Sequence, residues 1–189
     1  MSVGRQLFEG EMIRLTAIQP EKDAEVESRW THDLEYLRLI SPKPARPLSA
    51  SQVKKQYEAG EKEAKEKRNR FDFAIRLRSE DRLVGWARLD GLEWNNATAW
   101  LHLAIGDPGD RSKGYGSEAL RLLLRYAFHE LNLFRVTTDV FEYNPRGRRF
   151  LARHGFEMEA TRRQAIHRDG RRWDEYRLGL LREDWEKHA

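Results

Sequence analysis

Apolar and polar residues alternate over 12–17, and a period of two predicts a strand there. Pro20 then opens a short predicted helix carrying Ala24 and Val26. Three prolines within 41–47 break any helix and predict a stiff, extended connector. Ser49 or Ser51 is placed to cap the next helix, which runs through 61–67 with Glu58 to Lys62 and Glu61 to Lys65 spaced for i,i+4 pairing. A charged run of this kind reads most simply as a solvated face.

Runs 71–77 and 83–89, separated by the charged turn 79–82, read as a hairpin, and a turn at 94–97 leads into a third strand at 99–105. The period then changes: Leu120, Leu123, Leu124, Ala127, Phe128 and Leu131 recur at helical spacing. A strand returns at 133–141, with Phe134, Val136, Thr138 and Val140 on one face. Residues 146–154 read as a helix closed by Gly155, and 156–166 with 173–181 form a terminal hairpin turning at 168–170.

Composition narrows the chemistry. With 39% hydrophobic residues and no long apolar run, the chain is not expected to span a membrane. Residues 1–11 lack the basic start and apolar stretch of a secretory signal, so the expected location is the cytoplasm. A count of 0 cysteines excludes disulfides, thiolate metal sites and acyl-cysteine intermediates. The histidines show no paired metal-ligand spacing, so no metal is expected. The 35 basic and 31 acidic residues are intermixed, which argues against a nucleic-acid partner.

The stretch joining the third hairpin strand to the helical run, residues 106–117, carries the candidate chemistry. Gly114 and Gly116 let backbone amides approach a ligand, and the first turn of the following helix leaves N–H groups without intrahelical partners. With the positive end of the helix dipole, and with Arg111 and Lys113 beside them, these amides suit a diphosphate. A lone Gly-x-Gly would read as an ordinary turn; strand, Arg-x-x-Gly-x-Gly and amphipathic helix together favour a phosphate site.

Arg111, Gly114 and Gly116 in this setting resemble the main motif of the GCN5-related N-acetyltransferases. The wording of 105–108 and 113–120 is similar to the branch holding ribosomal-protein N-terminal and spermidine acetyltransferases, whose downstream pattern is met by Asn144 and Gly155-Phe156. The resemblance implies that the amides of Arg111, Ser112, Lys113, Gly114, Tyr115, Gly116 and Ser117 hold the pyrophosphate of acetyl-CoA. It also implies that Leu103, Ala104 and Ile105 pair with the pantetheine arm, that Asn144 touches that arm or a nearby water, and that Arg149 or Arg148 meets the 3′-phosphate. The cofactor would lie in a V-shaped gap between 101–105 and 136–140, and Trp30, Tyr36 and Leu37 would line the acceptor pocket.

An alkylamine is neutral in only about one molecule per few thousand at pH 7, so a base is useful. His102 is the first candidate because imidazole is the side chain that ordinarily changes charge near neutrality. A packed strand histidine is its bland alternative. Glu93 and Asp90 are further candidates. The tyrosine that many relatives carry seven residues after the Asn is Leu151 here, and Trp100 replaces a frequent glutamate, so Tyr143 and Ser117 are left as possible proton donors.

The expectation is therefore a single α/β (α+β) domain over 1–189, with a mixed, mostly antiparallel sheet of about seven strands and helices on both faces. It would be an N-acetyltransferase passing acetyl from acetyl-CoA to a primary amine by direct attack, with a homodimer left open. Two alternatives stay beside it: a non-catalytic acetyl-CoA sensor, and an NAD(P)-dependent oxidoreductase, since 114–119 also satisfies G-x-G-x-x-A with Asp139 further on.

Overall fold

The alternating runs are strands in the computed structural model, which describes residues 6–188. Residues 1–5, within the stretch read for a leader, and residue 189, the end of the expected domain, lie outside the described residues. The strands are β1 (Ile13–Thr16), β2 (Phe71–Leu77), β3 (Leu83–Glu93), β4 (Thr98–Ile105), β5 (Arg135–Phe141), β6 (Glu157–Arg168) and β7 (Arg171–Leu181). They form one 7-stranded sheet in the order β1-β2-β3-β4-β5-β7-β6. Every neighbouring pair is antiparallel except β4 and β5. A parallel pair needs a crossover, and α4 (Tyr115–Arg125) supplies it.

Period-two alternation sends β-strand side chains to two cores. On one face Ala119, Leu120, Leu123 and Leu124 of α4 pack over Ile75, Leu89, Leu101 and Val136. The apolar run continues past α4 into a turn at 126–130 widened to an i→i+5 bond, in which the Leu131 amide donates to Tyr126 O at 3.0 Å. On the other face Trp30 and Tyr36 cover Ala74, Leu83 and Ala104. Trp30 ends α1 (Pro20–Trp30), which packs against α3 (Ala50–Lys67), and Tyr57 of α3 donates a hydroxyl hydrogen bond to the Glu27 carboxylate of α1.

Several local expectations need correction. Of the two candidate caps, Ser49 is the one that caps α3, through a full capping box with Gln52. Glu61 does pair with Lys65 at 2.7 Å, but Glu58 lies near Lys54, at 3.9 Å, instead of Lys62. Phe134 is 55% exposed and precedes β5, whose buried face is Val136, Thr138 and Val140; Leu133 takes the buried place before it. Two helices had no sequence signal strong enough to be read: α2 (Leu34–Ile40), capped by Asp33, and α6 (Arg182–His188), whose Trp185 stacks on Phe128. The remaining helix, α5 (Pro145–Arg153), is the expected one. Among the described residues no helix is long and apolar enough to cross a membrane.

The charged residues that lock this fold are paired. Asp23 and Arg76, both buried, bond at 2.6 Å, and Arg76 also donates to Thr16 Oγ1 at 3.1 Å. Glu118 of α4, 5% exposed, accepts the backbone amides of Glu11, Met12 (2.9 Å) and Ile13 (3.0 Å), which ties the crossover helix to the first strand.

Candidate active site

β4 and β5 pair at Thr98 with Arg135, Ala99 with Val136 and Trp100 with Thr137, and no further. β3 follows β4 on its other side all the way to Ile105, opposite Gly85. Beyond Trp100, therefore, β4 keeps one neighbour and turns an unpaired edge toward β5. An extended chain laid in that gap would complete the ladder.

At the open end of the gap the chain enters the loop before α4. Gly114 is the N-cap of α4, with φ +92°, a left-handed conformation that a side chain would strain. It has no side chain to bond the helix start, and Glu118 is the first residue whose amide bonds back, to Gly114 O at 3.0 Å. The amides of Tyr115, Gly116 and Ser117 are left for a ligand. A Cβ on Gly116 would find only ordinary contacts, with Ile105, Leu103 and Phe150 side chains at 3.7–3.9 Å, so the helix start lies directly over the parted strand. Free amides, the helix dipole and an open strand edge together fit a diphosphate joined to an amide-bearing arm.

The loop is held from beneath by Asp110, 4% exposed, which accepts from Arg82 at 2.6 and 3.1 Å and lies 3.4 Å from Lys113 Nζ. The Arg82 hydrogen bond holds the Asp110 carboxyl below its ordinary pKa, against the opposing effect of burial. A carboxyl with a depressed folded value stabilises above its unfolded pKa and loses that contribution as pH falls through the folded value. Thermal midpoints of the wild type and of Asp110→Asn should thus differ at pH 7, by the equivalent of about 1–3 kcal/mol, and converge as pH drops below about 4. A gap that stays constant down to pH 3 would show that the ion pair contributes nothing.

The family described as "Acetyltransferase (GNAT) domain" matches residues 13–157 of this chain. The chain belongs to that family. A GNAT domain over this span makes the protein an acetyl-CoA-dependent N-acetyltransferase, which moves acetyl to an amine. It is 32% identical over 177 residues to the SPbeta prophage-derived uncharacterized N-acetyltransferase YokL of Bacillus subtilis, covering 94% of each chain. A solved structure described as "Probable acetyltransferase" superposes with a TM-score of 0.79 at 25% identity, covering 93% of this chain and 96% of that one. The spermidine N-acetyltransferase of Vibrio cholerae, solved with CoA and spermine, shares the fold at a TM-score of 0.80 and 18% identity, over 92% of this chain and 98% of that one. The dinucleotide alternative fails on topology: only β5 follows the glycine turn in parallel, and β7 and β6 are antiparallel, whereas a Rossmann half needs successive parallel strands.

Within this GNAT fold the expected site residues separate into groups. Leu103, Ala104 and Ile105 lie on the unpaired stretch of β4, and residues 112–117 form the loop and helix start above it. Arg111 is placed differently from expectation. Its guanidinium is spent on Asp33 (2.9 Å), Glu35 (3.1 Å) and the carbonyls of Gly106 (2.8 Å) and Ile105 (3.4 Å). It clasps the start of α2 to the loop and is not free for phosphate. Asn144 Oδ1 caps α5 by accepting from the Gly147 amide at 2.8 Å, so its oxygen is committed to the helix start. Arg149 lies exposed on α5, while Arg148 stacks over Tyr176, 5.2 Å from the ring centre.

His102 projects from the face of β4 opposite α4, two residues past the last β4–β5 pair. Its Nε2 lies 3.2 Å from Asp90 Oδ1, diagonally across the β3–β4 ladder. Burial raises the Asp90 pKa, but the His102 hydrogen bond and the charges of His102, Arg88 and Arg70 outweigh it and hold the carboxyl below its ordinary value. An ionised Asp90 can only accept, so in the neutral imidazole the tautomer that fits this contact has its proton on Nε2 and its lone pair on Nδ1. Glu93 is not brought to this place: it sits opposite Thr98 at the closed end of the gap and accepts from Asn96 at 2.7 Å. Trp100 lies under the Arg177 guanidinium, 4.5 Å from the ring centre, with Asp139 bonding that arginine at 3.1 Å.

Tyr143 is not a free proton donor. Its hydroxyl donates to Arg38 O at 3.0 Å and accepts from Arg168 at 2.8 Å, and burial holds its pKa above the ordinary phenol value. Ser117 stays half-buried in the first turn of α4. Leu151, at the position of the relatives' tyrosine, is part of the core.

An open cavity of about 390 Å³ lies between α2 and the β6–β7 turn. Its α2 wall is Leu34, Glu35, Arg38 and Leu39, and Tyr143, Arg168 and Trp173 face them. Trp30, Tyr36 and Leu37, the expected acceptor wall, do not line this cavity. Trp30 and Tyr36 are core residues, the Trp30 ring pressing on Gly106 so closely that a Cβ there would fall 2.0 Å from it. Leu37 packs on the same cluster. A helix over 34–40 puts 34, 35, 38 and 39 on one face and 36, 37 and 40 on the other, and without that helix the two sets cannot be told apart.

Proposed function

We propose that acetyl-CoA lies in the gap between β4 and β5, its diphosphate on the amides of residues 112–117 and its pantetheine arm along Leu103, Ala104 and Ile105, while the acceptor amine enters from the α2 side. The observation that carries this reading is the parting of β4 from β5 after Trp100 beneath a helix start with unpaired amides. The amine attacks the thioester carbonyl directly, since no cysteine is present to carry the acyl group. A C–N bond forms, the C–S bond breaks, and the proton leaving the amine passes to Nδ1 of His102, with Asp90 orienting the ring. Amides at 103–105 meet the developing oxyanion. Asn144, through its amide nitrogen, and Arg149, toward the 3′-phosphate, complete the cofactor contacts, and water supplies the proton to the departing thiolate. In this reading 1–189 acts as one domain, alone or as a homodimer, a choice that light scattering reads.

CoA at a hundred times its Kd should stabilise the protein by about 2.7 kcal/mol, a rise of about 5–11 °C in thermal midpoint. Gly116→Asp should abolish that rise. An acid in the first helical turn suits the dipole and its Cβ meets only ordinary contacts here, so the apo protein is expected to keep its stability while the diphosphate meets a like charge. An undiminished CoA shift in this variant would mean that the diphosphate binds elsewhere.

A further inference from the structure

The charged residues lining the cavity, Glu35, Asp169, Arg38 and Arg168, balance in number but do not pair one to one. Of the two carboxylates, Glu35 shares Arg111, at 3.1 Å, with Asp33, at 2.9 Å, and Asp169 is held by both arms of Arg38, at 2.6 and 2.8 Å. Arg168 has no such partner. Its guanidinium donates to the carbonyls of Arg38 (3.0 Å), Ser41 (3.1 Å) and Lys43 (3.3 Å) and to Tyr143 Oη (2.8 Å), and it lies 5.1 Å from the centre of the Tyr143 ring. These groups satisfy hydrogens but carry no negative charge; among the described residues no carboxylate pairs with Arg168 and its Nε–H has no acceptor.

The cavity adjoins the mouth of the β4–β5 gap on two sides. Tyr143 stands two residues past the end of β5, and Glu35 is tied to Arg111 of the loop below α4. A molecule seated there lies between the Glu35 side, which leads to the loop below α4, and Arg168 beside Tyr143. Resting on the reading that this cavity admits the acceptor, we infer that the acceptor is an amine carrying an anionic group, a carboxylate or a phosphate, which Arg168 neutralises. Tyr143, Trp173, Leu34 and Leu39 cover the body between the two ends. A polyamine, cationic along its length, would meet a half-buried guanidinium of its own sign, and Asp169 beside it is already held by Arg38. The specificity expected here is thus opposite in sign to that of a polyamine acetyltransferase, despite the shared fold.

Matched pairs that differ only in the anion give the test: β-alanine against β-alaninamide, leucine against leucinamide, phosphoethanolamine against ethanolamine, with spermidine as the cation. Thiol release from acetyl-CoA should show kcat/KM at least about tenfold higher for one class of anionic amine than for its neutral partner, as loss of a charge-assisted bond implies. Which pair shows the preference separates carboxylate from phosphate. Arg168→Gln should bring that ratio to near unity by raising KM with little change in kcat, and Arg168→Lys should restore part of it. Equal use of both members of every pair, or preference for spermidine, overturns the inference while leaving the transferase reading intact. Thiol release with no amine at all overturns the transferase reading instead; calorimetry of the same pairs on the CoA-loaded protein then reads the anion preference without turnover. Should Arg168→Gln fail to fold, the wild-type ratios and their decline with added salt decide the matter.

Discussion

His102→Ala is expected to lower kcat about 10²–10⁴-fold while leaving the CoA-induced thermal shift unchanged. The size follows from what the imidazole would do. A protonated amine has no lone pair for the thioester, and a base held at the parting of β4 and β5 removes the proton as the C–N bond forms. Asp90 fixes which nitrogen does so, because its carboxylate can only accept from Nε2. Asp90→Asn should therefore preserve CoA binding, lower kcat by a smaller factor and alter the pH dependence of kcat, since an amide can present either a donor or an acceptor to the ring and no longer selects the tautomer. Steady-state rates at saturating acetyl-CoA, measured across pH with an amine that the wild type uses, check both variants. Activity of His102→Ala within threefold of wild type would move the proton to water and reduce His102 to a packed strand residue.

The largest stability effect is expected at Glu118. Its carboxylate is nearly sealed from water and accepts three consecutive backbone amides at the start of β1. Truncation by Glu118→Ala strands those donors and opens a hole beside Gly10, whose Cα lies against the same side chain. The expected cost is about 3–5 kcal/mol, or a midpoint lower by roughly 6–20 °C. Glu118→Gln keeps the shape but turns an NH₂ group toward N–H donors, so it should recover only part of the loss. Differential scanning calorimetry on the two variants reads this directly; a fall of less than 2 °C for alanine would show that β1 holds its place without the carboxylate. Because α4 also presents the amides proposed to bind the diphosphate, a surviving Glu118→Ala protein is expected to bind CoA more weakly as well.

Much of this molecule was readable before its fold was known. The strands, the amphipathic run of α4 and the Gly155 helix end are written in periods of two and of 3.6 and in single turn residues, all of which act over about ten neighbouring residues. The glycine loop was legible for the same reason: Gly114 and Gly116 at the start of an apolar helical stretch are a local pattern, and the left-handed Gly114 makes that pattern necessary. α2 escaped because seven residues span only about two helical turns, too few for a period to stand out.

What the tertiary structure alone decided is which charge meets which. Arg111 reads as a phosphate ligand in the sequence, yet it is consumed by Asp33 and Glu35, more than seventy residues away. Glu118 reads as a helix-face residue, yet it holds the amides of β1 across more than a hundred. Arg168 reads as part of a turn, yet it lines a cavity whose other wall is α2, bonded to backbone carbonyls and Tyr143 and to no carboxylate among the described residues. A guanidinium or carboxylate acts on whatever lies within about 3–4 Å. That neighbourhood is set by sheet order and helix packing, so local periodicity carries no record of it.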